Sequence, residues 1–449
     1  MTERIYRVGI IGFGFIGKVH AYGYLNLPLL YDPPPLVAKI THVVTGRQET
    51  AEKACRAIGA DVAVTDYRAV TENPDIDIVH ICTPNHLHRE ALLSAMRQQK
   101  HIYCDKPLTA TLAEAEEIGA ALANYRGTAQ MTFQNRFFPA TLRAKQLVAA
   151  GALGEVLEFR ANYLHGGNAN PDAPLKWKMT AAAGGGVIAD LASHVLDLTE
   201  HLLGPLQSLS AATHIAYRQR PACGTQETGV RSQESGGKEL AVGSRQLAVE
   251  EAGEEERRRS SVHCQSEIIN QKSAIPPTSN PRSPIPNPQL PVPAPQRLLP
   301  VDAEDNVMLL ARLSSGALGT ITATKLATGS EDELRLEIHG TRGALRFNLM
   351  DPHHLEFYDA TLPDGPLGGL RGWNRIDTGQ RYAPPATSFP SPKAAIGWIR
   401  SHAACLANFL EAVAAGRPAM PGLDQGIRVQ RLMDCVRRSA AEGRWIDVP

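Results

Sequence analysis

The chain has 449 residues, and its 46 Lys and Arg balance its 46 Asp and Glu. That length predicts about two or three domains, while the neutral balance argues against nucleic-acid binding and against polybasic attachment to a membrane. No apolar run nears the ~20 residues needed to span a bilayer. The seven cysteines are scattered with no C-x-x-C pair, which speaks against a disulfide framework or a Cys-rich zinc site. Met1-Thr2-Glu3-Arg4 leads into a strand-like run with no apolar signal region, so a cytoplasmic location is expected.

The first 130 residues alternate between two periods. Arg7–Ile11, Val37–Val44, Asp61–Thr65, Asp77–Cys82 and His101–Cys104 read as short apolar strands. Helical patterns lie between them at Phe15–Leu27, Glu49–Ile58, His86–Arg97 and Leu112–Tyr125, and Thr128–Phe133 supplies a sixth strand. Strand and helix in alternation predict a parallel sheet covered on both faces, and right-handed crossovers make it doubly wound, of the Rossmann type. Residues 1–133 are expected to form this dinucleotide-binding domain.

From Gln134 the rhythm changes. A helix (Ala140–Ala149) precedes a long strand (Glu155–Leu164), a glycine-rich loop and a second helix (Val187–Leu203). Val307–Leu313 and Ala317–Lys325 flank Ser314-Ser315-Gly316, and Leu334–His339 and Ala344–Asn348 flank Gly340-Thr341-Arg342-Gly343. Short glycine turns between strands predict antiparallel pairing. Two helices, Ala395–Ala415 and Asp424–Ala441, close the chain. Residues 134–449 are therefore expected to form an α+β domain on an open, mostly antiparallel sheet. Residues 221–300 fit neither domain. They hold the run Glu254-Glu255-Glu256-Arg257-Arg258-Arg259 and ten prolines between Pro276 and Pro300. Such a stretch cannot bury enough apolar surface to offset its ordering entropy, so a disordered insertion is expected. A proline-rich docking segment is the functional alternative.

The sharpest local signal is Gly12-Phe13-Gly14-Phe15-Ile16-Gly17, which follows a strand and opens a helix. Gly12 allows the tight turn, Gly14 lets a pyrophosphate approach the backbone, and Gly17 permits close helix–strand packing. The free N–H groups of the helix start would hold the phosphates. An NAD site usually carries an acid at the end of the second strand. Here that strand ends Val44-Thr45-Gly46-Arg47. Arg47 suits a 2′-phosphate, and the reading leans to NADP. Asp32 has the nominal spacing from the glycines, but it precedes three prolines and reads as a loop residue.

Three further motifs point into the same crevice. The fourth strand runs into Thr83-Pro84-Asn85-His86-Leu87-His88, and the loops that follow strands of this fold face the ligand. His86 and His88 have no third ligand at metal spacing, so no metal is expected, and packing or capping suits His88. The fifth strand ends in Asp105-Lys106-Pro107, which aims Lys106 at the crevice. Gly184-Gly185-Gly186 opens a helix that carries Asp190 and His194, four residues apart and so expected on one face.

Together and in this order, the motifs resemble the Gfo/Idh/MocA oxidoreductase family. The matching residues are Gly12–Gly17, Thr83-Pro84-Asn85 with His88, Asp105-Lys106-Pro107, and Gly185-Gly186 followed by Asp190 and His194. The similarity runs from Arg7 to about Tyr217 and from Val301 onward, and takes in Leu336–Gly343 and Asn408–Pro418. Asp105 stands where Glu is commoner, and the 221–300 insertion is outside the family's plan. The resemblance implies a Rossmann domain followed by an α/β domain whose open sheet forms a homo-oligomer interface, in a dimer or tetramer. It also implies hydride transfer between NAD(P) and a sugar, inositol or related polyol. Lys106 is similar to the lysine of the family's E-K-P motif, and Asp190 and His194 to its D-x-x-x-H pair.

On this reading His194 is the general base, Lys106 stabilises developing alkoxide charge, and Asp190 orients one of them. Phe13, Phe15, Ile16, Thr45 and Asp105 join the cofactor set. Asn135, Arg136, Tyr163 and Trp177 are expected at the substrate, with His165 and Lys176 nearby. A non-catalytic NAD(P)H sensor or scaffold of the same fold is the alternative.

Overall fold

The computed structural model describes residues 4–222 and 297–449. Its first half is β1 (Ile5–Ile11), α1 (Phe15–Leu30), β2 (Val37–Val44), α2 (Gln48–Ile58), β3 (Val62–Val64), the single turn α3 (Arg68–Thr71), β4 (Ile78–Ile81), α4 (His88–Arg97), β5 (His101–Cys104), α5 (Leu112–Leu122) and β6 (Ala129–Met131). These six strands form one parallel sheet in the order β3-β2-β1-β4-β5-β6. The sheet is doubly wound, with its strand order reversing between β1 and β4, where such sheets bind ligands. Val8, Ile10, Ile78, Val79, Ile81 and Ile102 are fully buried, as expected for strands covered on both faces.

The chain continues with α6 (Pro139–Ala149), β7 (Val156–Leu164), α7 (Ser193–Leu203), β8 (Leu206–His214), β9 (Gln219–Pro221), β10 (Leu298–Pro300), β11 (Asn306–Leu313), β12 (Leu318–Thr324), β13 (Glu333–Gly340), β14 (Gly343–Asn348), β15 (His354–Asp359), β16 (Trp373–Asp377), α8 (Trp398–Ala414), α9 (Leu423–Glu442) and β17 (Ile446–Asp447). Nine of these strands make a second sheet, β16-β15-β14-β13-β7-β12-β11-β8-β17. Both glycine-turn hairpins form as expected. One pair, β7 with β12, is parallel, so the sheet is mixed. Phe159, Ala161, Leu309 and Ile321 face the core, while Met308, Leu310 and Leu318 stand on the open face.

Three sequence expectations are corrected. The predicted helix from Val187 begins with a π turn, Ile188–Ala192, and becomes α-helical only at Ser193, so Asp190 and His194 are not related by a regular helical turn. The edges of the predicted insertion are structured, since Pro221 pairs with Leu298 and Gln219 with Pro300 in a two-stranded ribbon. Arg220 of that ribbon is buried and donates to the carbonyls of Asn168 and Asn170. The rest of the expected disordered, proline-rich stretch lies outside the described residues. The third correction concerns β8, β15, β16 and β17, which sequence periodicity did not reveal.

The last two helices tie the sheets together. Helix α8 crosses α1, where a Cβ on Gly23 would stand 2.7 Å from Leu406. Helix α9 packs on α5, β6 and β8, and a Cβ on Gly426 would meet Met131 and Leu108 at about 3 Å.

Candidate active site

The carboxyl edge of the parallel sheet sets the site. Backbone bonds continue past the strand ends, with Gly12 donating to Val44, Cys82 to Ile11, Asp105 to Ile81 and Thr132 to Cys104. The glycine loop, the Thr83 loop and the Lys106 loop are thereby held side by side. Gly12 has φ +92°, and a Cβ there would lie 2.6 Å from the Cys82 carbonyl oxygen. A Cβ on Gly17 would sit 2.2 Å from the Gly12 carbonyl oxygen. Gly14 is different, because nothing lies within 4 Å of its Cβ position. It caps α1 with no side-chain cap bond and no acid in the first turn. An open glycine before an uncapped, unscreened helix start is a cradle that fits a pyrophosphate.

The second strand ends as the sequence indicates. Thr45 Oγ1 donates to the carbonyl of Arg47 and contacts Thr50. Arg47 is half-buried and forms the N-cap of α2. Asp32 lies in the loop before β2, at the other end of the strand, where its N–H donates to the carbonyl of Pro385.

Asp190 is the centre of the second half of the site. Lys178 Nζ lies 2.7 Å from its Oδ1, Lys325 Nζ 3.0 Å from its Oδ2 and Lys106 Nζ 3.5 Å from its Oδ1. Lys106 also donates to the backbone carbonyl of Asp190 at 2.6 Å. Burial by itself would raise the pKa of Asp190, but Lys178, Lys325 and Lys106 together hold it well below the usual carboxylate range. Burial lowers the pKa of Lys106, as do Lys178 and Lys325, while Asp190 and Asp105 oppose the change. Asp105 is pushed up to about 6, mainly by burial. His194 is driven well below 6.5 by burial and by Lys106, so its ring is neutral. Nδ1 of His194 has no partner, and the ring lies 5.8 Å from that of Tyr163.

The remaining expected residues divide into two groups. Asn85 Nδ2 donates to the carbonyl of Gly184 at 2.7 Å and joins the Thr83 loop to the triple glycine. His88 faces the carbonyls of Thr83, Pro107 and Leu108 with its two ring nitrogens, so it braces two loops against each other. Arg136, expected at the substrate, is turned instead to Asp197, bonding it through Nε at 2.8 Å and Nη2 at 2.5 Å in a buried pair. Buried polar atoms without partners remain at Thr83 Oγ1 and Asn135 Nδ2. Tyr163 is buried and Trp177 partly exposed, with Lys178 Nζ 5.8 Å from the Trp177 ring centre.

Comparison with known proteins identifies the family. Residues 6–133 match the Gfo/Idh/MocA oxidoreductase family model for the NAD-binding Rossmann fold, and residues 145–448 match its C-terminal alpha/beta domain. The chain belongs to the Gfo/Idh/MocA oxidoreductase family. Levoglucosan dehydrogenase of Pseudarthrobacter phenanthrenivorans is 29% identical over 98% of both chains. A solved levoglucosan dehydrogenase in complex with NADH is 27% identical, with a TM-score of 0.79 over 99% of this chain and 100% of that one. The scyllo-inositol 2-dehydrogenase (NADP(+)) IolW of Bacillus subtilis is 28% identical over 46% of this chain and 54% of its own length. As a member of the family, the chain is an NAD(P)-dependent oxidoreductase.

The structure adds four residues to the site that motif reading missed. Lys178 adjoins Trp177, and Lys325 follows β12, more than a hundred residues beyond the Asp190 and His194 motif. A lysine at the end of an alternating strand was the available signal for Lys325, but it resembles an ordinary surface charge in sequence. Helix α8 contributes Trp398, whose ring stacks 5.6 Å from the exposed Phe15, and His402, 4.1 Å from Trp398. His402 is 4% exposed, and neither of its ring nitrogens has a partner. Beneath the glycine loop, His20 Nδ1 lies 3.0 Å from both His80 Nδ1 and Cys82 Sγ, and His80 Nε2 lies 2.8 Å from the Tyr24 hydroxyl. These buried groups bond one another in a knot behind the loop.

Proposed function

We propose that this oxidoreductase oxidises a secondary alcohol of a sugar, anhydrosugar or related polyol, with NAD(P)+ accepting the hydride. The observation that carries this reading is Lys106 joined to Asp190 beside a neutral, buried His194 at the carboxyl edge of the Rossmann sheet. Removing hydride from a carbinol carbon requires loss of the hydroxyl proton. Lys106 Nζ, charged and backed by Asp190, stabilises the developing alkoxide. The His194 imidazole, kept neutral, takes the proton and returns it in the reverse direction. Asp190 holds three ammonium groups, so its role is to place Lys106, with Lys178 and Lys325 flanking the substrate's other hydroxyls. Gly14 and the open start of α1 receive the cofactor's pyrophosphate. The names of the relatives support the substrate class.

Two finer readings go with it. Arg47, with no acid at the end of β2, favours the 2′-phosphate of NADP. The apolar residues on the open face of the nine-stranded sheet, Met308, Leu310 and Leu318, favour self-association through that face.

The deciding experiment is formation of reduced cofactor by the purified chain across a panel of anhydrosugars, sugars and inositols. For the best substrate, Lys106→Ala and His194→Ala are each expected to lower kcat by at least about tenfold with cofactor binding retained. Full turnover in both variants would refute the assignment.

A further inference from the structure

The strongest unassigned feature lies at the start of α8. Arg400 is 3% exposed. Its Nε and Nη1 have no partner, and Nη2 makes only long contacts, 3.4 Å to the carbonyl of Leu30 and 3.3 Å to that of Thr387. Among the described residues no carboxylate pairs with it. Two aromatic rings flank the guanidinium, Tyr31 at 5.1 Å and Tyr382 at 4.5 Å from their centres. Cation–π contacts of this kind ease burial of the charge, but they leave the N–H groups of Nε and Nη1 without acceptors. A buried, unpaired ion is costly, and proteins answer it with a counter-ion.

Arg400 lines a small cavity with Gly397, Gln380, Tyr382 and His353. Gly397 is the N-cap of the 17-residue helix α8, which has no side-chain cap and no acid in its first turn. The start of that helix and Arg400, with its two unpartnered guanidinium N–H groups, thus line one small cavity. Burial keeps His353 on the neutral side of its usual range, so it does not compete as a second cation. The space is of the order of one water-sized body, too small for a sugar phosphate or a dicarboxylate.

We propose that Arg400 and the first turn of α8 bind a single small monovalent anion, of which chloride is the physiological form. The ion accepts from Nε and Nη1 of Arg400 and neutralises the helix start. The place has structural consequences. Arg400 reaches Leu30 at the end of α1 and Thr387 in the segment before α8, so the ion completes the junction that sets α8 against α1. The same helical turn carries Trp398, which stacks on Phe15 of the glycine loop.

Crystals of the full chain soaked in bromide test the proposal directly. An anomalous peak in contact with Nε and Nη1 of Arg400 is expected. A water at that position, bridging Arg400 to the unpartnered Oε1 of Gln380 and showing no anomalous signal, would overturn it. In solution, thermal unfolding is compared in sodium chloride and in sodium isethionate at equal ionic strength. Chloride is expected to raise Tm by about 2 °C or more, by binding the folded state alone, and the difference is expected to vanish in Arg400→Met. Equal Tm in the two salts for the unmodified protein would also overturn the proposal, and this comparison stands even if the variant does not fold.

Discussion

Lys106 meets Asp190 twice, donating to its backbone carbonyl at 2.6 Å while standing 3.5 Å from its carboxylate. The double contact is made on the π turn that begins the helix after the triple glycine. Wide turns of this kind recur at functional sites. Here one joins a loop of the parallel sheet to the element carrying His194, so that the Lys106 loop and His194 are held by the same few residues.

Asp190 raises the pKa of Lys106, whereas Lys325 lowers it. Removing the carboxylate with Asp190→Asn therefore moves loss of the Lys106 proton to lower pH. The alkaline limb of the kcat profile is expected to shift to the acid side, with kcat at its plateau down by at least about tenfold. Steady-state rates across pH check both the direction and the size.

Lys325→Met carries the opposite sign. With one like charge gone, Lys106 holds its proton to higher pH, and the alkaline limb moves upward. Loss of a charge-assisted contact at the substrate is expected to cost about 10–100-fold in kcat/KM. Cofactor affinity by fluorescence titration should be unchanged. A simultaneous collapse of cofactor binding would place Lys325 in the cofactor groove instead.

The Arg136–Asp197 pair is structural and buried, with side-chain exposures of 8% and 2%. Asp197→Ala strands a guanidinium inside the protein and is expected to destabilise the fold by about 3–5 kcal/mol. The readout is denaturant unfolding. Replacing both partners with apolar residues of similar volume should recover much of the loss, which separates an orphaned charge from a lost substrate contact.

Stability should fall on the acid side of neutrality. Burial lowers the pKa of His20 to about 3 and also depresses His80, His88, His194 and His402. For each, the unfolded chain takes up its proton first, so the contribution is complete above about pH 6.5 and is lost as pH falls toward the folded value. The slope is about 1.4 kcal/mol per pH unit for each group. Asp105, raised to about 6, acts oppositely, since the folded state takes up its proton between about pH 4 and 6. Asp197 and Glu411, also raised by burial, act in the same direction as Asp105, but these three carboxyls do not offset the five histidines. Tm measured by calorimetry is expected to decline steadily from pH 6.5 to 4.5, and a flat profile would show the histidines to be solvated.

Arg47 is the group that selects the cofactor on this reading. Tighter binding of NADPH than of NADH is expected, and Arg47→Ala should remove about tenfold of the NADPH affinity, the effect of one charge-assisted bond, while sparing NADH. Titration of both reduced cofactors against both proteins measures it. Preference for NADH in the unmodified chain would assign Arg47 to capping α2 alone.

The Rossmann half was legible from local pattern because each of its contacts is written within one strand–turn–helix unit. Gly12 and Gly17 are required by a turn only six residues long, while Gly14 leaves its surface open, and the reversal of strand order follows from alternation and crossover handedness. Lys106, Asp190 and His194 were legible as motifs for the same reason. Their electrostatic setting was not. Lys325 lies 135 residues beyond Asp190 and reaches it only because β12 pairs in parallel with β7. Arg136 has the look of a ligand-binding arginine until Asp197 is brought against it by the packing of α7. Strand β8, rich in serine and alanine, carries little hydrophobic period and is ordered by β11 on one side and by α9 and β17 on the other. Trp398 and His402 enter the site because a helix from the end of the chain packs on α1, across the glycine at position 23. Sequence alone determined what is local, namely turn chemistry, strand period and the motifs that carry Lys106, Asp190 and His194. Charge pairing, burial and the pKa values they set were decided only by the tertiary structure, because they depend on which distant side chains share one low-dielectric space.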